Sequence, residues 1–384
     1  MKFRSFQQFK IIKESQDFFK EIIPQDIANL YELFKKNNKK LYIVGGAVRD
    51  VIMGKYPKDF DLATDAFPEE VIEIVTKGGY STIGEVGHKF GVVIVQTPSN
   101  KEGFEIATFR EDLTSGRRPD EVKYSTIEND VLRRDLTVNA LFYDIGKAEI
   151  VDLVGGVKDI NQELINTVGD AEDRFQEDPL RKLRSLRFAS KADFKLSDKI
   201  IKAIKKDNSL KGVSKERIRD EFKKSIETSP KPFYYLKLLT DLNLWEVMFP
   251  GLDISTDFLS TNTWIIQLSH LFRNNSEKTL RKEMNNLTFT SDEIKSVIFL
   301  LKMRDFKPED VFEHYKYFKK TSINNETLLE FAQIYNLDMK LMKKFLNYEP
   351  TTDGNWVRSY YNLRGKEVGS EIKKIEGEKF KKSL

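Results

Sequence analysis

The 384-residue chain contains no cysteine. That absence excludes disulfides, zinc–thiolate sites and thiol nucleophiles together. Histidine is scarce as well, and His88, His270 and His314 are too scattered to form a histidine-rich metal cluster. Any bound metal is therefore expected to be a hard cation on carboxylates, Mg2+ or alternatively Mn2+. Long apolar runs are missing: Ser296–Leu301 is typical of the longest, far short of the ~20 residues of a bilayer span, so no membrane partner is expected. Met1–Arg4 is basic without an apolar core behind it, so no secretory segment is expected and the cytoplasm is the expected compartment. Nor is there a strong charge of one sign. The 64 basic and 60 acidic residues leave a net +4, which neither demands nor excludes a polyanionic partner, and patches matter more than the total.

What remains describes a globular protein, 40% hydrophobic and 32% charged, too long for one ordinary core. Between about residues 40 and 165 lie β-type runs at 41–44, 91–95, 104–108 and 141–145, punctuated by Gly, Pro and Asp. Helical segments at 26–36 and 68–77 interleave with them. From about 170 onward strand signals vanish, and apolar residues recur at helical spacing over 178–191, 197–206, 214–227 and 232–242. The expected fold is α+β: a head with a small mixed sheet and helices, then an all-helical remainder.

Val44-Gly45-Gly46-Ala47-Val48-Arg49 reads as a strand, a tight turn and a helix start. Free N–H groups at such a start favour phosphate, glycine permits close approach, and Arg49 one turn in adds a charged donor. A glycine pair alone is usually just a turn. Asp59 and Asp61 follow, and residues i and i+2 of a strand share a face, which brings two carboxylates together. Such a pair repels unless a divalent cation lies between them. An isolated Asp-x-Asp is more often a surface turn, but behind a phosphate loop it fits two-metal phosphoryl transfer. Glu105 is an anomalous acid inside the apolar run 104–109 and is a third candidate.

These segments resemble the class II tRNA CCA-adding enzymes and bacterial poly(A) polymerases of the polymerase β-like nucleotidyltransferase superfamily. The resemblance runs from about Leu41 to Lys224 and rests on six motifs in order: 45–50, 59–61, 104–110, 133–140, 177–181 and 216–221. It implies that Asp59 and Asp61 ligate Mg2+, that Glu105 is the less certain third acid, and that Gly45, Gly46 and Arg49 meet the triphosphate. It also implies that one of Arg133 and Arg134 touches the incoming nucleotide.

Glu177-Asp178-Pro179-Leu180-Arg181 bears on specificity. Proline suits a first helical turn with Asp178 as cap, and Asp178 and Arg181 are then neighbours on one face. A capped helix with a local ion pair explains the bare pattern. The resemblance implies instead that the two side chains read the Watson–Crick edge of the incoming base, with Arg184 and Arg187 as further nucleotide contacts. The Gly-, Ser- and Pro-containing stretch Arg110–Asp120 resembles the loop such enzymes need to switch from C to A addition.

The implied division is a catalytic head over 1–168, a helical neck over 169–230 and a tRNA-binding body and tail over 231–384. The implied partners are the tRNA 3′ acceptor end, CTP and ATP, with no obligate protein partner. Aromatics at 233–235 and 315–318 suit core packing better than base stacking. Poly(A) synthesis is the alternative activity, as is partial CC- or A-only addition. The chain lacks the long basic tail expected of a poly(A) polymerase. No His-Asp dipeptide occurs, so an appended phosphohydrolase of that type is not expected.

Overall fold

The computed structural model describes residues 6–83, 91–112 and 122–384. It divides into two compact units, Met1–Gly212 and Val213–Leu384.

The first unit is built on a seven-stranded mixed sheet. Its strands are β1 (Leu41–Val44), β2 (Asp61–Thr64), β3 (Ser81–Ile83), β4 (Val92–Gln96), β5 (Phe104–Thr108), β8 (Leu141–Asp144) and β9 (Glu149–Asp152), in the order β3-β4-β5-β2-β1-β8-β9. Only β2 and β5 run parallel; the other neighbours are antiparallel. All four residues of β1 are buried, as a continuous apolar run requires of a strand covered on both faces. A hairpin of β6 (Arg110–Asp112) and β7 (Val122–Tyr124) stands apart from the sheet.

The helices of this unit are α1 (Phe6–Ile22), α2 (Gln25–Lys36), α3 (Gly46–Ile52), α4 (Pro68–Lys77), α5 (Ile127–Leu132), α6 (Gly156–Asn161), α7 (Ala171–Glu177), α8 (Leu180–Ala192) and α9 (Asp198–Lys206). α4 begins and ends where its sequence says. Pro68 opens it, the Glu70 carboxylate accepts the Phe67 N–H at 2.9 Å, and Gly78 closes it. Phe19 of α1 stacks on Tyr143 of β8, with centroids 4.2 Å apart, so α1 belongs to the sheet's core.

One expectation fails here. Strand does not end at residue 170: β10 (Leu164–Ile165) pairs in parallel with β11 (Lys195–Leu196), just beyond α8. Two-residue strands have too little length to show a period.

The second unit is helical throughout its described elements: α10 (Lys215–Thr228), α11 (Pro232–Asp241), α12 (Trp245–Met248), α13 (Trp264–Leu271), α14 (Glu277–Asn286), α15 (Ser291–Met303), α16 (Val311–Phe318), α17 (Asn325–Ile334), α18 (Met339–Leu346), α19 (Gly354–Tyr361) and α20 (Lys366–Ser383). Side-chain caps start several of them, such as Ser214 for α10 and Thr290 for α15. Phe299, Phe331 and Phe345 centre one core, against which Tyr315, Tyr317 and Phe318 pack. Those aromatics are core, as expected. The 233–235 group is split: Tyr235 is fully buried, Phe233 is 53% exposed.

Candidate active site

β1 ends at Val44 and the chain turns at Gly45, whose φ of +69° lies in the left-handed region that strains any residue with a β-carbon. The Gly45 N–H donates to the Leu141 carbonyl at 2.9 Å, tying the turn to β8. α3 follows at once, but it is only seven residues long. Its dipole is correspondingly modest, so positive charge at the turn comes mainly from side chains rather than from the helix end. Arg49 is buried, donating to the Asp50 carboxylate at 2.9 and 2.7 Å and to the Asn139 side-chain oxygen. Arg134 faces the same turn, since a β-carbon on Gly45 would lie 3.8 Å from its guanidinium.

The two aspartates are not both on a strand. The β1–β2 ladder runs from Leu41↔Thr64 to Val44↔Asp61 and stops there, because Gly45 turns away and leaves nothing to pair before Asp61. Asp59 therefore sits in the irregular approach to β2. Proximity survives without the strand register. Loss of hydration against the protein, then the negative charges of Glu105 and Asp59, push the Asp61 carboxyl above its ordinary range, while Arg134 pulls the other way. Part of Asp61 still reaches solvent, so that loss is incomplete. Glu105 lies on β5 next to the Leu62↔Ile106 pairing, and its side of the strand is exposed while Phe104 and Ile106 are buried. That alternation explains an acid within an apolar run.

Asp59, Asp61 and Glu105 are thus electrostatic neighbours. Among the described residues, however, no group of three or more His, Asp or Glu is placed to hold a metal unaided. The donor set nonetheless fits Mg2+, which commonly takes one or two carboxylates and completes its octahedron with water and substrate phosphate.

Asp130 of α5 organises the two candidate arginines. One oxygen accepts from Arg133 at 2.9 and 2.6 Å, the other from Arg134 at 3.1 and 3.0 Å. Burial would raise the Asp130 carboxyl, but Arg134 and Arg133 overcome it and hold it below the usual range. Arg134 also lies over the Phe142 ring at 4.7 Å. Of the two, Arg134 is aimed at the glycine turn and Asp61, whereas the Arg133 carbonyl accepts from Arg181 at 3.1 Å.

α8 begins at Leu180 with Pro179 as its cap residue, so Asp178 does not cap it directly as expected. Asp178 closes α7 instead, in extended backbone, as the residue before proline prefers. Its buried carboxylate still accepts the Leu180 N–H at 3.2 Å. Arg181 donates to the Glu177 carboxylate at 2.5 Å, and Arg184 pairs with Asp135 at 2.7 and 2.6 Å. Burial works against the Asp135 charge, yet Arg184 holds its carboxyl below the usual range. Arg187 is buried. The expected loop over 110–120 begins in β6, but residues 113–121 lie outside the described residues, as does His88.

Asp130, Asp135, Asn139 and Phe188 were not singled out as site residues by their sequence positions. Asp135 and Asn139 lie inside the 133–140 motif, which was a signal. Asp130 looks like any surface acid of a short helix, and only its burial betrays it.

Acids that can take a divalent cation, beside arginines that can take phosphate, suit nucleotidyl transfer. The comparisons agree. The family described as "Poly A polymerase head domain" matches residues 41–166, and that described as "Probable RNA and SrmB- binding site of polymerase A" matches residues 193–255. The chain is 32% identical over 358 residues to a CCA-adding enzyme of Lactobacillus helveticus, covering 87% of each. It is 34% identical over 249 residues to Poly(A) polymerase I of Haemophilus influenzae, covering 60% of this chain and 54% of that one. Alignments with other CCA-adding enzymes span about half the length of those relatives. The fold matches the crystal structure of Bacillus stearothermophilus CCA-adding enzyme in complex with CTP, with a TM-score of 0.70, 25% identity and coverage of 92% and 91%. This chain belongs to the class II CCA-adding enzyme and bacterial poly(A) polymerase family, whose activity depends on a divalent metal.

Proposed function

We propose that this chain is a CCA-adding tRNA nucleotidyltransferase. It transfers CMP, CMP and AMP from CTP and ATP to the tRNA 3′ end without a template and releases pyrophosphate. The observation that carries the reading is that Glu105, Asp59 and Arg134 all act electrostatically on Asp61, with Arg134 beside the Gly45 turn.

Asp59 and Asp61 hold Mg2+, or Mn2+ in its place, with Glu105 as the nearby third acid. When bound, the metal lowers the pKa of the RNA 3′-hydroxyl and neutralises the phosphates and leaving pyrophosphate. Gly45 and Gly46 give the triphosphate room to approach the backbone, and Arg49 and Arg134 carry the charge that holds it. Asp178 and Arg181 offer acceptors and fixed donors to the Watson–Crick edge of the base. For Arg181 this requires exchanging Glu177 for the base, a swap of one acceptor for another. Arg184 and Arg187 support the same end of the nucleotide, and Arg133 positions Arg181 through its carbonyl.

The division of labour is a catalytic head over 1–168, a neck over 169–230 carrying the base-reading helix, and a body and tail over 231–384 that grip tRNA. Among the described residues no helix is long and apolar enough to cross a membrane. We place the enzyme in the cytoplasm, with its tRNA substrate.

One incubation tests the reading. Purified protein, Mg2+ and tRNA lacking its 3′ CCA are offered CTP, ATP or both. Two C residues followed by one A are expected. Long A tracts on unrelated RNA would place the chain with the poly(A) polymerases instead. Arg181→Ala is expected to blur the choice between C and A, and unchanged selectivity would sink the protein-template assignment.

A further inference from the structure

One half-buried ring joins the two ends of this site. Phe188 lies on α8, and three guanidiniums surround it. The Arg187 carbon is 4.3 Å from the ring centroid, that of Arg49 5.3 Å and that of Arg184 5.7 Å. Arg184 and Arg187 are neighbours of Phe188 on the same helix. Arg49 comes from α3, behind the Gly45 turn. Two of the three are already held by a carboxylate: Asp50, on α3 itself, holds Arg49, and Asp135, from the segment after α5, holds Arg184.

Three like charges this close repel one another. Another carboxylate between them would relieve the repulsion, but it would also cancel the field that attracts a nucleotide polyphosphate. A neutral aromatic face does something different. It attracts each guanidinium through its quadrupole, favours a defined plane for it, and leaves the net positive charge in place. An aliphatic side chain of similar size fills the space without fixing those planes.

We infer that Phe188 is a positioning residue: it sets the guanidiniums of Arg49, Arg184 and Arg187 relative to one another, and so couples recognition of the polyphosphate to recognition of the base. The inference rests on the proposal that these arginines contact the incoming nucleotide.

The test compares wild type, Phe188→Leu and Phe188→Tyr, the first keeping apolar bulk and the second keeping the ring. Equilibrium binding of CTP and ATP with Mg2+ is measured alongside steady-state addition to tRNA lacking CCA, at a temperature well below all three melting points. Phe188→Leu is expected to raise Kd and KM for both nucleotides roughly ten-fold, the scale of one desolvated cation–π contact. Its kcat should stay within about three-fold and its discrimination between C and A should fall, while Phe188→Tyr restores wild-type values. Unchanged Kd and KM in Phe188→Leu would overturn the inference, as would Phe188→Tyr being equally impaired, since that marks plain core packing. A wild type that binds both nucleotides but adds neither to tRNA would overturn the functional reading instead, with the binding comparison still judging Phe188.

Discussion

Asp61 holds its charge at a cost to folding. Its carboxyl is pushed up by desolvation and by Glu105 and Asp59, so the folded state binds its proton more tightly than the unfolded chain does. Stability from this group is therefore present below the unfolded value near 4 and is lost as pH rises through the folded value. Above the folded value the cost is fully present. Asp61→Asn should consequently melt higher than wild type in metal-free buffer while losing nucleotide addition. Adding Mg2+ should raise the wild-type melting temperature and leave the variant unmoved; an Asp61→Asn protein that melts lower without metal contradicts the placement of the three acids.

Asp130 and Asp135 carry the opposite sign. Their arginine partners hold both carboxyls low, so their stabilisation is present above about pH 4 and disappears as pH falls through the lowered folded values. Asp135→Asn removes the carboxylate that Arg184 donates to, and about 1–2 kcal/mol should be lost at neutral pH, the scale of a charge-assisted hydrogen bond discounted because Arg184 is 35% exposed. Denaturant melts at pH 7 and pH 3 check it: the gap between wild type and variant should shrink at the lower pH.

At the scale of elements, the turn between β1 and α3 joins the sheet to the triphosphate end of the site. Gly45→Ala must hold a β-carbon at φ +69° and ψ −119°, a sparsely populated combination that costs about 1–3 kcal/mol. That strain is expected to appear as a lower melting temperature together with a raised KM for CTP and ATP, because relaxing the turn moves Arg49. A variant with normal stability and normal KM would show that the turn is not needed in this form. The same turn shows what local sequence makes legible. Gly45-Gly46 after an apolar run, Pro68 and Gly78 bracketing α4, and Ser197 and Ser214 starting α9 and α10 each act within a few residues. Partners distant in sequence were not legible. Asp59 leaves the strand because the partner strand ends at Val44, opposite Asp61, and the chain turns away at Gly45. The β10–β11 pair and the Arg49–Phe188 contact depend on α8 folding back to the head, and no periodicity reports that.

For the whole molecule, a net +4 from 64 basic and 60 acidic residues is too small to steer tRNA by total charge. Affinity must come from patches that meet phosphates at close range, and such contacts release counterions and weaken linearly in log salt. The proposed division places the reacting acids in the head and the grip on tRNA in the body and tail, so chemistry and binding should separate. An Asp59→Ala, Asp61→Ala double variant is expected to lose addition entirely. Its Kd for tRNA lacking CCA should nevertheless match wild type within about two-fold from 50 to 300 mM salt, with the same slope, because two active-site acids leave the phosphate contacts untouched. Filter binding or fluorescence anisotropy across that range reads both quantities. Tighter binding in the double variant, with a steeper slope, would mean that the acids repel RNA backbone lying across them, and the grip on tRNA would then have to extend over the head.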